Sequence, residues 1–298
     1  MDVIGVDLGN CNIKTSTGLI IPSKVIKGES IFNSEYELNF EGEHFVIGEG
    51  DFDTNLDKTS KEYLLPMLCA ALALSTKEQF VRVVLGLPLN QYKAKKNSLI
   101  EIVENNKVLK FSINDVQREI IITEAAIYPE GVATYYSLNS NVRSDLKDRD
   151  LIILDIGGRT TDVALLTGGK RSISKSTSLD VGMINIYNNL INEINSLFTL
   201  NLNLEDAEGI IKRGLEIDGV KQDISFLKDI IKNNVDKIFK ELNVNYPTRT
   251  CPILVTGGGG ESLFKSIKRR YPSAILVENY LFSNAQGFKK VGEKLWQD

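Results

Sequence analysis

Histidine and cysteine are scarce in this 298-residue chain, and their scarcity excludes several catalytic chemistries. His44 is the only histidine, and its neighbours form an exposed-looking hairpin pattern, so we interpret it as a surface residue with no catalytic role. A Ser-His-Asp mechanism then has no histidine to use. The three cysteines, Cys11, Cys69 and Cys251, are odd in number and widely spaced. This pattern predicts reduced thiols in a cytoplasm and no metal-ligand set.

The chain also lacks a long apolar run and an excess of basic charge. No stretch is long enough to span a membrane, and the N-terminus has no signal-peptide pattern, which together predict a cytoplasmic protein. The net charge of −4 argues against non-specific electrostatic binding to nucleic acid. With 42% hydrophobic and 25% charged residues, the composition fits one two-lobed enzyme or two small domains.

Among the residues that are present, the most informative stretch is 151–163. Residues 151–154 are a continuous apolar run, which predicts a buried strand, and Asp155, Gly157, Gly158 and Thr160 follow it. Glycines let backbone N–H groups approach an anion, and a carboxylate beside a phosphate indicates an intervening cation such as hydrated Mg²⁺. A β-hairpin with a glycine-rich turn is the alternative interpretation of this stretch alone.

The same pattern occurs at the N-terminus. An apolar run over residues 3–6 is followed by Asp7, an aliphatic residue, Gly9, a short polar loop and a return strand. Asp7 precedes Asp155 by 148 residues, about half of the chain. Two phosphate-binding hairpins, one in each half, predict two related α/β lobes that face each other across a nucleotide.

These two loops resemble the phosphate 1 and phosphate 2 motifs of the actin, Hsp70 and sugar-kinase superfamily. Residues 255–261 (VTGGGGE), after a strand-like 252–254, resemble its adenosine motif. Within the superfamily the chain is most similar to the ParM/StbA plasmid-segregation actins, in the segments 86–92 (GLPLNQY), 128–131 (YPEG) and 284–287 (NAQG). The resemblance spans nearly the whole chain. It implies an α/β, duplicated two-lobe fold of the actin-like (ribonuclease H-like) type with the nucleotide in the central cleft.

The resemblance and the local patterns together give a domain plan. We expect a first lobe over 1–150, with a peripheral subdomain at about 27–60, completed by a C-terminal helix over 284–298. We expect a second lobe over 151–283 with a peripheral subdomain at about 200–245. The predicted strands are 3–6, 13–17, 19–26, 81–88, 108–113, 119–123, 151–154, 163–166, 252–254 and 274–277. The predicted helices are 59–75, 98–105, 180–198, 204–214, 224–242 and 262–270, and 139–150 is predicted to be a loop.

The resemblance also implies a nucleotide site for ATP, or GTP, with Mg²⁺. Amides of 9–12 and 157–160 would hold the phosphates, Lys14 would supply a cation, and Asp7 and Asp155 would hold Mg²⁺ through waters. The implied nucleotide-binding residues are Asp7, Gly9, Asn10, Cys11, Asn12, Lys14, Gly157, Gly158, Arg159, Thr160, Lys212, Gly257, Gly258, Gly259 and Glu261. Lys212 has a competing interpretation, as part of a solvated helix face. Asn10, Cys11 and Arg159 depart from the residues common in relatives, so their contacts stay open.

Glu130 resembles the carboxylate that orients the attacking water, and we assign it a catalytic role together with Asp155. Pro129 is expected to open a helix that continues to Tyr136, because proline suits a first helical turn. A glutamate in a first turn is also favoured by the helix macrodipole alone, which is the competing explanation. Glu124 is the alternative catalytic carboxylate.

The function expected from the resemblance is a filament-forming ATPase that polymerises with itself and moves plasmid DNA through a ParR-like adaptor. Direct DNA binding and membrane binding are not expected. The alternatives are a cytoskeletal actin-like protein not tied to segregation, an Hsp70-type ATPase and a small-molecule kinase of the same fold. No peptide-binding domain follows Asp298, which disfavours Hsp70, and sugar kinases are usually longer.

Overall fold

The structure is a computed structural model in which residues 1–29, 34–52, 55, 57–168 and 172–297 are described. Parts of the predicted 27–60 subdomain (30–33, 53–54 and 56) and Asp298 of the predicted terminal helix lie outside the described residues. None of the described helices is both long and apolar enough to cross a membrane.

The first part of the chain forms a nine-stranded sheet. Its strands are β1 (Asp2–Leu8), β2 (Asn12–Thr15), β3 (Ile20–Pro22), β4 (Lys24–Lys27), β5 (Glu37–Phe40), β6 (Glu43–Phe52), β7 (Phe80–Leu87), β8 (Val108–Ile113) and β9 (Val116–Pro129). Their spatial order is β3-β2-β1-β7-β9-β8-β5-β6-β4. Only Ser23 separates β3 from β4 in the chain, yet they stand at the two ends of this order. The sheet therefore curls until its edges meet, and the single strand predicted over 19–26 is wrong.

The curled sheet encloses helix α1 (Leu64–Ser75). Six consecutive residues, Met67 to Leu72, are buried, so the helix has no solvated face along that stretch. A helix that is apolar on all sides needs such an enclosure, since it has no polar face to turn to water. Pro66 lies in its first turn, where the missing N–H has no intrahelical partner to lose.

The second part of the chain forms a five-stranded sheet in the order β12-β11-β10-β15-β16. Its elements are β10 (Leu151–Ile156), β11 (Thr161–Thr167), β12 (Ser172–Leu179), α5 (Met183–Phe198), α6 (Asp206–Arg213), the short β13 (Glu216–Ile217) and β14 (Val220–Lys221), α7 (Leu227–Asn245), β15 (Ile253–Thr256), α8 (Gly258–Arg270) and β16 (Ala274–Leu276). The sets β3-β2-β1-β7 and β12-β11-β10-β15 have the same order and the same strand directions. The two lobes are thus topological copies at their centres.

Four predictions for the segment from 89 to 150 are wrong. Helix α2 (Leu89–Asn105) begins nine residues before 98, because 89–97 is mostly polar and exposed and shows little helical periodicity. Strand β9 continues from the predicted 119–123 to Pro129. That proline pairs with Leu87 at the strand end, where its missing N–H is tolerated. The helix expected from Pro129 starts only at Thr134, as α3 (Thr134–Ser137), and α4 (Ser140–Asp145) lies in the predicted loop 139–150.

The C-terminal helix α9 (Ser283–Leu295) follows the second sheet in sequence but packs on β1, β7 and α3 of the first. Two glycines allow this close approach. A Cβ on Gly5 would clash with the carbonyl oxygen of Ala285, and a Cβ on Gly287 would clash with the carbonyl oxygen of Ala133. The backbone of α9 therefore lies directly against the backbone of β1 and of the segment before α3. Through this contact the helix connects the second lobe to the first.

We expect Gly287→Val to destabilise the protein, since the new side chain must displace the backbone of Ala133. Such overpacking costs roughly 1–3 kcal/mol, which a urea titration would detect as a lower midpoint. Lys290→Val is the matched control, because Lys290 is exposed on the same helix and should change stability by less than about 1 kcal/mol. Equal midpoints for the two variants would contradict the close packing.

Candidate functional site

The two predicted phosphate loops meet at the junction of the lobes. The first loop connects β1 to its antiparallel neighbour β2, and the second connects β10 to its antiparallel neighbour β11. A Cβ on Gly158 would clash with Cys11 Sγ, so the thiol of the first loop rests against the backbone of the second. Burial raises the pKa of the Cys11 thiol, opposed first by Arg159 and then by Lys14 and Lys61. Arg159 therefore lies close to the first loop.

Asp7 stands at the end of β1 between two lysines. Its Oδ2 lies 3.5 Å from Lys14 Nζ on the paired strand β2, and its Oδ1 lies 3.7 Å from Lys58 Nζ. Within the described part of the chain Oδ1 is buried and accepts no hydrogen bond. Asn10, in the loop that follows, accepts a hydrogen bond of 2.9 Å from Lys61 Nζ. The first loop is thus surrounded by three amines.

Lys58 is a residue of this site that no sequence pattern indicates. It lies in a 3₁₀ turn over 58–60, is only 1% exposed, and forms a hydrogen-bonded ion pair with Glu130 Oε1. Burial alone would lower the pKa of Lys58, but Glu130 and Asp7 raise it above its ordinary value. Burial raises the pKa of Glu130, and Lys58 opposes that rise. Each side chain therefore favours the charged form of the other, although burial still raises the pKa of Glu130 to about 7.

Glu130 and its alternative Glu124 occupy different surroundings. Glu130 follows the end of β9 and precedes Gly131, whose φ of +72° favours glycine. It is not in a first helical turn, so the macrodipole explanation does not apply. Glu124 lies earlier on β9, paired with Arg82 at 3.1 Å. Arg82 also donates to the carbonyl of Trp296, so Glu124 belongs to a structural ion pair in the middle part of the strand.

Asn284 joins Asp155 to the segment that carries Glu130. Its Nδ2 donates to Asp155 Oδ2 at 2.8 Å, and its Oδ1 accepts from the Gly131 N–H at 2.8 Å. Burial raises the pKa of Asp155, and the Asn284 hydrogen bond and the Lys14 amine oppose this. Asn284 lies in the segment 284–287, which resembles the ParM/StbA group, but we predicted no role for it from the sequence. A bridge between residues so far apart in the chain can be found only in the folded protein.

A further buried carboxylate, Asp162, lies directly opposite Asp155 in the β10–β11 pairing. Ser178 Oγ of β12 donates a hydrogen bond to it. Its position seven residues after Asp155, at the start of the return strand, is the sequence signal that could have identified it. Asp7 and Lys14, spaced alike on β1 and β2, form the corresponding pair in the first lobe.

The predicted adenosine residues surround the start of α8. Gly257 has a φ of +82° and precedes the helix, and a Cβ on Gly259 would clash with Ile156 and Met183. Gly258 borders Leu281. Lys212, on α6, is exposed and pairs with Glu208, whose carboxylate raises the pKa of Lys212, with a smaller contribution from Glu261. Lys212 and Glu261 are therefore neighbours, although Lys212 remains mostly solvated.

Gly157 and Gly9 determine the backbone shape of the two phosphate loops. The Gly157 N–H donates to the carbonyl of Thr160 at 2.9 Å, and a Cβ on Gly9 would lie 2.7 Å from the carbonyl oxygen of Asn12. Both contacts keep the turns tight. The described residues hold no group of three or more carboxylate, imidazole or thiol ligands for a metal. The chemistry here fits Mg²⁺ bound mainly by phosphates and water, since Asp7 Oδ1 is a buried acceptor that accepts no hydrogen bond from the described residues.

Comparison with known proteins agrees with this architecture. Residues 5–132 match the family described as actin like proteins, N terminal domain, and residues 153–269 match archaeal actin homologue MreB-like, C-terminal. An archaeal actin homolog of Thermoplasma volcanium is 24% identical over 221 residues, covering 70% of this chain and 67% of the relative.

Two solved structures have the same fold. An archaeal actin homolog in complex with ADP is 19% identical, with a TM-score of 0.85 over 99% of this chain and 100% of that one. A 15-stranded ParM filament from Clostridium botulinum is 21% identical, with a TM-score of 0.80 over the same shares of the two chains. The predicted actin-like two-lobe α/β fold is confirmed.

The buried Asp162 gives a pH-dependent stability. Burial raises its pKa to about 7 from an ordinary 3.8, and Asp155 adds to the rise while Ser178 and Lys58 oppose it. An acid with a raised pKa stabilises the fold fully below its unfolded pKa, and this contribution is lost as the pH rises through about 7. Asp162→Asn should therefore match wild type near pH 4 and exceed it at pH 8 by up to about 4 kcal/mol.

The measurement is urea unfolding at both pH values without nucleotide or divalent metal. Asp180→Asn, an exposed change in the same lobe, should show no such pH dependence. A constant difference between Asp162→Asn and wild type at the two pH values would contradict the burial argument.

Proposed function

We propose that the chain is an actin-like protein that hydrolyses ATP with Mg²⁺ in the cleft between its lobes and assembles into filaments in the triphosphate state. The observation that carries the proposal is the convergence of Asp7, Lys58 and Glu130 of the first lobe on Asp155 of the second. A site built from both lobes responds to whatever binds between them. GTP is the alternative nucleotide.

In this proposal each group has a separate task. The amides of 9–12 and 157–160 hold the phosphates from two sides, and Lys14 adds a cation. Asp7 and Asp155 hold Mg²⁺ through water, and the ion supplies charge neutralisation for the transferred phosphoryl group when bound. Glu130 accepts a hydrogen bond from the attacking water and orients it. Lys58 fixes Glu130 and favours its ionised form, which opposes the effect of burial.

Nucleotide can drive assembly because it contacts both lobes. A ligand shifts a conformational equilibrium only by its difference in affinity for the two states, and a triphosphate held by both loops favours the closed state. Closure brings further groups together across the cleft. Lys24 of β4 donates to Glu205 beside α6 at 2.9 Å, a partly exposed pair that contributes only about 0–1 kcal/mol. Nucleotide, rather than this pair, therefore has to supply most of the closing free energy.

We expect the protein to sediment as polymer with Mg²⁺-ATP and to remain in the supernatant with ADP or with ATP and excess EDTA. Light scattering on nucleotide addition gives the time course. A protein that binds Mg²⁺-ATP but stays monomeric well above cellular concentrations would contradict the filament proposal and favour a kinase or Hsp70-type function.

Glu130→Gln should retain nucleotide binding and slow hydrolysis by a factor of roughly 10²–10⁴, the usual loss when a water-positioning base is removed. Glutamine can still accept the hydrogen bond from Lys58, so the change is nearly isosteric. The matched control is Glu124→Gln, which should hydrolyse ATP like wild type. Phosphate release and nucleotide affinity are measured separately, and wild-type turnover in Glu130→Gln would remove Glu130 from the mechanism.

The finer part of the proposal is plasmid segregation through a ParR-like adaptor. Its support is the likeness of this chain to ParM structures, but the chain is at least as similar to archaeal actin homologs. A cytoskeletal role not tied to segregation therefore remains the alternative. The two differ in whether filaments capture DNA through a partner.

A chain with a net charge of −4 has no excess of positive charge with which to bind the phosphates of duplex DNA. The purified protein should fail to shift a DNA duplex at ~150 mM salt, with or without nucleotide. A salt-sensitive shift at micromolar concentration would show a direct DNA site and contradict the need for an adaptor.

A further inference from the structure

A second buried lysine, Lys61, reaches the first phosphate loop from the turn that precedes α1. It is only 6% exposed, and its Nζ donates to Asn10 Oδ1 at 2.9 Å. Lys58, three residues earlier, pairs with Glu130 and Asp7 instead. The proposed mechanism gives Lys58 a task but gives Lys61 none. Because the burial of an ammonium group costs free energy, the contact of Lys61 with Asn10 requires a reason of its own.

The backbone on either side of Asn10 is held independently of Lys61. Ser23, between β3 and β4, donates its hydroxyl to the carbonyl of Gly9 at 2.6 Å and its N–H to the carbonyl of Cys11 at 2.9 Å. These two hydrogen bonds fix the loop immediately before and after Asn10. The contact of Lys61 therefore acts on the side chain of Asn10 rather than on the shape of the loop.

The chemistry of an ammonium group determines how the Asn10 amide is turned. Lys61 Nζ has only donors, so its partner in the amide is the oxygen and not the nitrogen. The Nδ2 of Asn10, which carries two N–H donors, then lies on the opposite edge of the amide, away from Lys61. Asn10 is half-buried, so this edge is accessible to a ligand. Without Lys61 the amide is free to present its oxygen there, and an oxygen repels a phosphate.

We propose that Lys61 is a positioning residue that turns the Asn10 amide nitrogen towards the terminal phosphate of the bound nucleotide. The proposal rests on the proposed function and deepens it. A donor held in this orientation makes a hydrogen bond to a charged oxygen that a nucleoside diphosphate lacks. Lys61 therefore increases the preference of the site for a nucleoside triphosphate over a diphosphate, although it does not itself touch the nucleotide.

The location of Lys61 supports a role at the terminal phosphate. Lys58 of the same turn holds Glu130, which in the proposed function orients the water that attacks the terminal phosphorus. Burial raises the pKa of the Cys11 thiol, and Arg159 of the second phosphate loop and Lys61 both oppose this rise. Lys61 thus borders the space between the two loops, next to the group that directs the attack.

The turn that carries Lys61 is anchored on α2, which suits a positioning role. The Asp57 carboxylate accepts the N–H of Thr59 at 3.0 Å and pairs with Lys95 of α2 at 2.8 Å. The N–H of Lys58 donates to Gln91 Oε1 of the same helix at 3.3 Å. A side chain orients a ligand group accurately only when its own backbone is supported in this way.

The test is a double-mutant cycle of Lys61→Met and Asn10→Ala in the full chain. The measured quantity is the preference for a non-hydrolysable ATP analogue over ADP, both with Mg²⁺, taken as the ratio of the two dissociation constants below the assembly concentration. Each single variant should lower this preference by about tenfold or more, the loss expected for one hydrogen bond to a charged group. The double variant should lie within about threefold of either single variant, because Lys61 acts through Asn10.

Three further variants sharpen the result. Asn10→Asp keeps an acceptor for Lys61 but presents only oxygens to the phosphate, so its preference should fall at least as far as in Asn10→Ala. Lys61→Gln repeats the test with a polar side chain, because a glutamine amide accepts as well as donates and no longer fixes the orientation. Lys27→Met removes an exposed lysine of the same lobe and should keep the wild-type preference.

The ADP affinity separates the possible failures. An ADP affinity close to that of wild type shows that a variant is folded. If wild type binds neither nucleotide, the proposed function itself fails. If wild type binds both, but Lys61→Met and Lys61→Gln keep its preference or the losses in the cycle simply add, Lys61 does not act through Asn10. This inference is then wrong, and the proposed function stands.

Discussion

The buried ion pair of Lys58 with Glu130, beside Asp7, is the interaction on which the cleft depends. The buried carboxylates of Asp7, Asp155 and Asp162 and the mostly buried carboxylate of Glu130 lie close enough to influence one another. Removing such groups from water costs several kcal/mol each unless partners compensate. Lys58 and Lys14 supply the positive charge, and Asn284 and Ser178 supply hydrogen bonds. Such a site gains little stability from its charges, which suits a binding function better than a structural one.

The duplicated topology explains why this cluster lies between the lobes. Strands β1 and β10 each pair antiparallel with the next strand and parallel with a later one, and the acidic residue stands near the end of each of these two strands. The two ends face each other through Cys11 and Gly158. Helix α9 then ties the lobes together, because it packs on the first sheet while Asn284 in its first turn holds Asp155 of the second.

The parts predicted correctly from the sequence are those with a local signal. The apolar run, the acid and the glycines around Asp7 and Asp155 identified both loops, and helical periodicity located α5 and α7. Lys58 lies in a polar segment with no period, so its burial could not be foreseen. The β3–β4 break at Ser23 and the role of Asn284 depend on contacts with distant parts of the chain. Pro129 was predicted to begin a helix but ends β9, because proline suits both a first helical turn and a strand end.

The central claim is that Asp7 and Asp155, one from each lobe, act on a single Mg²⁺-nucleotide. A double-mutant cycle on Mg²⁺-ATP affinity, with Asp7→Asn, Asp155→Asn and the double variant, tests it most directly. Each single change should weaken Mg²⁺-dependent binding, and the double variant should be little weaker than either, with a coupling energy above about 1 kcal/mol. Losses that simply add would contradict a shared ion and place the two carboxylates in separate sites.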